Sequence, residues 1–199
     1  MRNLTATICL TIAVLLGSAG CDEPPDFQKG FTAYKSGDYA TALRNWTPLA
    51  EQGHATSQFN LGLMYRNEQG VPKDDKTAMK WYRLAAEQGY ADAQYSVGVL
   101  YDNGQGVPED DKTAVKWYKL AAEQGQQSAQ NNLGVMYRDG QGVTQDNVYA
   151  HMWLNIAASS GNETASKNRD IIAKRMTPAD ISTAQQLARE CVRRKYKDC

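Results

Sequence analysis

Two histidines, four cysteines and a few acidic pairs are the residues of this 199-residue chain whose types could carry chemistry. A zinc centre needs several His, Cys or carboxylate ligands at matched spacing. His54 stands in a loop and His151 inside a helical stretch, and neither has a matching ligand beside it. Both read as solvated or packing histidines. Serine acylation of the Ser-x-x-Lys kind lacks its pair, because no Ser has Lys three residues on. A catalytic triad would use one of the same two histidines as its base, and no Gly-x-Ser-x-Gly or Cys-bearing motif accompanies either. Gly104-Gln105-Gly106 lacks the Lys-Ser/Thr of a phosphate loop. The expectation is a protein with no catalytic residues, no metal and no cofactor.

The elements that carry these residues explain most of them. Laid on itself at an offset of 36 residues, the chain aligns the same residue types without a gap, the mark of a repeat array. Leu61-Gly62, Val97-Gly98 and Leu133-Gly134 fall in register, as do Tyr65, Tyr101 and Tyr137, then Trp81, Trp117 and Trp153. The Gly-x-Gly-Val loop recurs in the same way, which marks it as architecture. Units close on Ala85-Ala86-Glu87-Gln88-Gly89, then Ala121-Ala122-Glu123-Gln124-Gly125, then Ala157-Ala158-Ser159-Ser160-Gly161.

Within a unit the spacing predicts two helices. Gln94, Val97, Gly98 and Tyr101 follow an i, i+3, i+4, i+7 rhythm and form one buried stripe. Ala114, Trp117, Tyr118 and Ala121 repeat the logic in the second helix, with Lys112, Lys116, Lys119 and Glu123 towards water. Asp74, Asp110 and Asp146 precede the second helices as N-caps, so Asp74-Asp75 and Asp110-Asp111 read as caps and first-turn charges before metal ligands. Gly62, Gly98 and Gly134 lie mid-helix, where Gly costs about 1 kcal/mol against Ala. The missing Cβ lets the Trp and Tyr of the second helix pack over the first.

Residues 26–53 form a related unit with a shorter connection at Gly37-Asp38-Tyr39 and an apolar face of Ala42, Trp46 and Leu49. After Gly161 the pattern degenerates. A helix is expected over 163–175, and a closing helix from Ile181 to about Lys195, introduced by Thr177-Pro178-Ala179-Asp180. The boundaries are thus 1–20 for an export signal, 21–25 for a linker, 26–161 for the array and 162–199 for capping helices.

The string Leu-Gly-x-x-Tyr, Gly-x-Gly-Val, Asp-x-x-x-Ala-x-x-Trp-Tyr and Ala-Ala-Glu-Gln-Gly, as in Leu61 to Gly89, resembles the Sel-one-like repeat (SLR) family of the tetratricopeptide repeat superfamily. The resemblance covers about residues 26–161, and 163–199 look like the C-terminal cap of bacterial members. It implies an all-α, right-handed α-solenoid of tandem helix-turn-helix repeats, about four of them plus the cap, that serves as a scaffold or adaptor for another protein or peptide. By analogy with tetratricopeptide groove positions, the concave face is expected to use Phe59, Leu63 and Arg66, then Asp92, Tyr95, Val99 and Asp102, then Asn131, Val135, Arg138 and Asp139. Some exported, cysteine-rich relatives have been described as β-lactamases, so a hydrolase of β-lactam or cell-wall substrates is the alternative.

Residues 1–20 read as an export signal: Arg2 gives the positive start, Ile8 to Leu16 an apolar stretch, and Gly17 to Gly20 small residues before Cys21. The stretch is shorter than the roughly 20 residues of a membrane-spanning helix. Small residues before Cys resemble a bacterial lipoprotein box, which would make Cys21 the lipidated first residue of a periplasm-facing protein. Ser18, where that pattern prefers an aliphatic residue, departs from it, and ordinary cleavage after Ala19 or Gly20 is the other reading. Lys plus Arg and Asp plus Glu both number 22, so the overall balance points to no nucleic acid and to no membrane contact beyond the anchor. Cys191 and Cys199 remain for the folded part. On one continuous helix they would stand about 12 Å apart, beyond disulfide reach, so a bridge requires the last helix to end near Lys195 or Tyr196 and the chain to turn back. Two free terminal thiols are the other reading.

Overall fold

A computed structural model describes residues 24–199. The expected export signal at 1–20 and the expected lipidation at Cys21 lie outside the described residues. Ten helices follow in order: α1 Phe27–Lys35, α2 Tyr39–Glu51, α3 Ala55–Arg66, α4 Asp75–Glu87, α5 Ala91–Asp102, α6 Asp111–Ala122, α7 Gln127–Asp139, α8 Asn147–Ser159, α9 Glu163–Ala173 and α10 Pro178–Arg193. They form an all-α solenoid. Helices α1 to α8 pair as four hairpins, and each second helix also packs against the first helix of the next pair.

The sequence sets the helix limits locally. Asp74, Asp110 and Asp146 each accept hydrogen bonds from first-turn backbone N–H groups of α4, α6 and α8, satisfying donors that have no partner within the helix. The backbone N–H groups of Asp74, Asp110 and Asp146 donate to the carbonyls of Tyr65, Tyr101 and Tyr137, so the three Gly-rich loops within hairpins α3–α4, α5–α6 and α7–α8 close in one way. Gly106 shows why that loop needs glycine: its φ is +73°, and a Cβ would run into the Asp75 carbonyl of the preceding second helix. Thr177 and Asp180 form a reciprocal capping box at the start of α10, with Pro178 in the first turn.

Tyr82 and Tyr118 are fully buried, and their rings lie over Gly62 and Gly98 as the missing Cβ atoms allow. The tryptophans are less uniform. Trp81 and Trp117 are partly buried where their own first helices meet the preceding unit, against clusters that hold Leu61 and Met64 beside Trp46 and Ala50, and Val97 and Leu100 beside Met79 and Ala86. Trp153 alone of the three is fully buried. The reason is geometric: Tyr82 and Tyr118 already fill the place over the glycine, and the adjacent Trp, about 100° round the helix, faces the seam between units.

Helix α9 occupies the place of a next first helix, but α10 does not fold back onto it and packs against α8. Met152 and Ile156 of α8 share a cluster with Ala188 and Cys191 of α10. Helix α10 ends at Arg193, slightly before the expected limit, and Lys195, Tyr196 and Asp198 take positive φ values of 54°, 64° and 55°. That reversal brings Cys199 back to Cys191, with Cα atoms 5.5 Å apart and a disulfide between them.

Candidate functional site

The predicted binding residues sit on α3, α5 and α7, the first helix of each repeated hairpin. Phe59 contacts Tyr82 and Tyr90, with ring centroids 5.7 and 5.2 Å away. Tyr95 lies over Tyr118 at 5.8 Å. Leu63 and Val99 are half-buried against clusters formed by the second helix of their own hairpin and the following unit, and Val135 is also half-buried. Asp92 is exposed and accepts a hydrogen bond from Gln126 at 3.4 Å. Asn131 accepts one from Asn168 of α9 at 3.0 Å, so α9 reaches the end of this face.

One position of the first helices carries the largest chemical difference. It is Arg66 in α3, Asp102 in α5 and Arg138 in α7. Arg66 donates from Nη2 to Gln105 Oε1 of the next loop at 3.2 Å. Asp102 accepts the Tyr118 hydroxyl at 2.9 Å; burial raises its carboxyl above the ordinary range, the tyrosine hydrogen bond opposes that, and Asp111 adds to it. Arg138 holds Asp139 through two hydrogen bonds of 2.8 and 2.7 Å, which keep the Asp139 carboxyl below its usual range. The Tyr82 hydroxyl is buried beside Arg66; burial pushes Tyr82 up to about 12, and the Arg66 guanidinium acts in the opposite direction.

Sequence reasoning missed a polar ladder running through the stack. Gln58, Gln94 and Gln130 donate from Nε2 to the carbonyls of Ala50, Ala86 and Ala122 at 2.9, 3.2 and 3.1 Å, each tying a first helix to the preceding second helix. Gln88 and Gln124 then donate to Gln58 and Gln94 Oε1 at 2.7 Å. The signal was the Gln of the closing Glu-Gln-Gly phrase, which recurs in register with the buried Gln. In the third unit Ser160 stands in that place, and Gln130 Oε1 is buried without a partner.

The histidines stand apart from each other. His54 caps α3, its Nδ1 2.8 Å from Ser57 Oγ, and packs against the Phe27 ring at 5.2 Å. His151 is buried in α8, its Nδ1 without a hydrogen-bond partner. Among the described residues no three His, Cys, Asp or Glu gather as metal ligands would.

A search of known proteins finds alginate biosynthesis protein AlgK of Pseudomonas syringae pv. tomato, 38% identical over 61 residues, which are 31% of this chain and 13% of that relative. This chain therefore matches only a small part of that curated protein's length. Among solved structures, a Sel1 repeat protein from Oxalobacter formigenes is 38% identical with a TM-score of 0.60, the match covering 65% of this chain and 97% of the other. A protective antigen with an SLR fold from uropathogenic Escherichia coli is 27% identical with a TM-score of 0.61, covering 85% of this chain and 45% of its own. Cysteine rich protein B of Helicobacter pylori shares the fold, at 20% identity and a TM-score of 0.53, over 65% of this chain and 93% of that one. The Sel1 repeat model matches residues 55–90, 91–126 and 127–162 in tandem, more than half of the chain and in the register of hairpins α3–α4, α5–α6 and α7–α8, so this protein belongs to the Sel1 repeat family.

Proposed function

We propose that this protein is an exported scaffold or adaptor that binds a partner protein or peptide on the face formed by α3, α5 and α7, without catalysing a reaction. Sel1 repeat proteins are generally protein-interaction scaffolds. The observation that carries the reading is a contrast within one register. Buried positions repeat nearly the same residues from unit to unit, whereas two half-exposed positions of the first helices change, from Phe59 to Tyr95 to Asn131 and from Arg66 to Asp102 to Arg138. Structure alone asks for no such variation. A surface with aromatic, aliphatic and differing charged groups suits a helix or an extended peptide.

Export is supported by Arg2, the apolar run Ile8–Leu16 and the small residues before Cys21, and by the Cys191–Cys199 disulfide, a bond that persists in oxidising compartments. Lipidation at Cys21 would tether the protein to a membrane facing the periplasm.

Affinity capture from membranes, comparing the natural chain with Arg66→Glu/Arg138→Glu, tests the reading. The expected result is loss of a partner from a variant whose thermal midpoint is unchanged. An unaltered partner set would remove this face from the binding site.

A further inference from the structure

One face of the second helices can be followed through the register, and it changes character where the chain covers it. Positions 80 and 84 of α4 correspond to 116 and 120 of α6 and to 152 and 156 of α8. In α8 they are Met152 and Ile156, buried in the cluster shared with α10. In α4 and α6 they are Lys80 and Leu84, then Lys116 and Leu120, all exposed, each leucine to 45%. Lys76 and Lys112 lie one turn earlier on the same side, and in α2 Arg44 takes the place of Lys80 and Lys116; these too are exposed. The nearby acids Glu87 and Glu123 are engaged by Arg83 and Lys119 at 2.9 and 3.6 Å, and Asp38, Asp74 and Asp110, which feel the charges of Arg44, Lys76 and Lys116, are held first by Thr41, Thr77 and Thr113. Among the described residues, none of the five cations Arg44, Lys76, Lys80, Lys112 and Lys116 joins an ion pair of that kind.

We infer that this outer face, against the expectation drawn from the overall charge balance, is a second binding surface, separate from α3, α5 and α7, and that it takes the anionic headgroups of a phospholipid bilayer. Its chemistry is repeated where the first-helix face is varied: Lys, Lys and Leu recur in neighbouring units, so the surface cannot read a distinctive partner but matches a ligand that itself repeats. Where this face does bind a helix, at α8, the chain supplies Met152 and Ile156 and no lysine. Cations near a negatively charged leaflet gain affinity in proportion to their number. The leucine at the end of each row can dip below the headgroups, an interaction that a soluble acidic polymer does not offer. Residues 24–26 are all that separate α1 from the undescribed segment bearing Cys21. A few extended residues span only about 3.5 Å each, so lipidation there would hold the array close to such a surface, although the electrostatic binding does not require it.

The test uses the chain from residue 22 onward, which lacks both the apolar run Ile8–Leu16 and the acyl site at Cys21, and vesicles of phosphatidylcholine alone or mixed with phosphatidylglycerol. Sedimentation should show binding to the mixed vesicles that weakens with salt. Lys80→Glu/Lys116→Glu should lower that binding at least about tenfold, and Leu84→Ser/Leu120→Ser should weaken it with its salt dependence retained. Lys167→Glu on α9 together with Lys174→Glu at its C-cap, an equal change of net charge, should leave it intact. Equal loss in both lysine variants, equal binding to neutral vesicles, or retention on a soluble polyuronate without binding to vesicles would each overturn the proposal. Arg66→Glu/Arg138→Glu should bind vesicles as the natural chain does, which separates a failure here from a failure of the first-helix site.

Discussion

Gly98 and Tyr118 are packed so closely that a Cβ on the glycine would stand 2.6 Å from Cδ1 of the ring. The ring cannot retreat easily, because it is fully buried and its hydroxyl is tied to Asp102 at 2.9 Å. Helix α5 thus accepts a poor helix former in exchange for contact with α6. Gly98→Ala should gain about 1 kcal/mol of helix propensity and lose roughly 1–3 kcal/mol to overpacking, for a net loss. Urea unfolding checks this. The loss should shrink in a Tyr118→Leu background, and strict additivity of the two substitutions would argue against the contact.

The interrupted ladder invites a repair. Gln130 Oε1 is buried without a partner, and Ser160, where Gln88 and Gln124 supply a donor, has φ −91° and ψ 7°, close to the −82° and 1° of Gln88. Ser160→Gln therefore needs no change of backbone. It should stabilise the protein by about 0.5–1.5 kcal/mol, the net worth of an ordinary hydrogen bond. A thermal midpoint that stays level or falls would mean that the ladder adds nothing to stability.

The three tryptophans at equivalent positions should differ in cost. Trp153 is 1% exposed, so Trp153→Ala should lose roughly 3–5 kcal/mol. Trp117 is only partly buried, at the seam with the preceding unit, and Trp117→Ala should lose about half of that, since the cost follows the apolar area removed from water. Denaturant titration of the two variants side by side measures the difference. Equal losses would contradict the placement of Trp117 at the seam.

These comparisons show which features the residues announced. The 36-residue period, the Asp caps and the mid-helix glycines each follow from local rules, and Gly98 points to its close neighbour because a mid-helix glycine needs a reason. The period alone does not say whether Trp117 or Tyr118 fills that gap. The two are adjacent in sequence, and their roles separate only once neighbouring units set the helix rotation. The same holds for Gln124, whose polar side chain at the end of α6 looks solvated until Gln94 of the preceding first helix is brought beside it. The course of α10 across α8 was likewise beyond local rules, although Met152, apolar where α4 and α6 carry Lys80 and Lys116, marked the face that it covers.

The terminal bridge should behave as a clasp on the C-terminal cap. Cys191 and Cys199 are eight residues apart, and Tyr196 between them lies against the turn at Gly125 and the cluster beneath it. Closing so short a loop contributes about 2.5 kcal/mol on the chain-entropy account. Cys199→Ser, or reduction by a dithiol, should lower the thermal midpoint accordingly. Thiol titration of the unreduced protein should find Cys191 and Cys199 unreactive, and two reactive groups there would end the idea of a clasp.

Acid should loosen the same end of the molecule through His151. Its side chain is 3% exposed; burial lowers its pKa below the ordinary value, Arg169 lowers it further, and Asp170 acts in the opposite direction. The unfolded chain therefore takes up a proton before the folded one does. Stability is complete above the unfolded value of about 6.5, declines as pH falls through it, and levels off once pH is below the folded value. The carboxylates of Asp38, Asp74 and Asp110, held below their usual range by bonds to Thr41, Thr77 and Thr113, contribute their own loss only at lower pH, which leaves a window in which the histidine acts first. His151→Leu fills similar space with nothing to protonate and removes a buried nitrogen that has no partner. Its thermal midpoint should change less than that of the natural chain between about pH 7 and pH 5. Parallel curves for the two proteins over that range would show that His151 does not set the acid sensitivity.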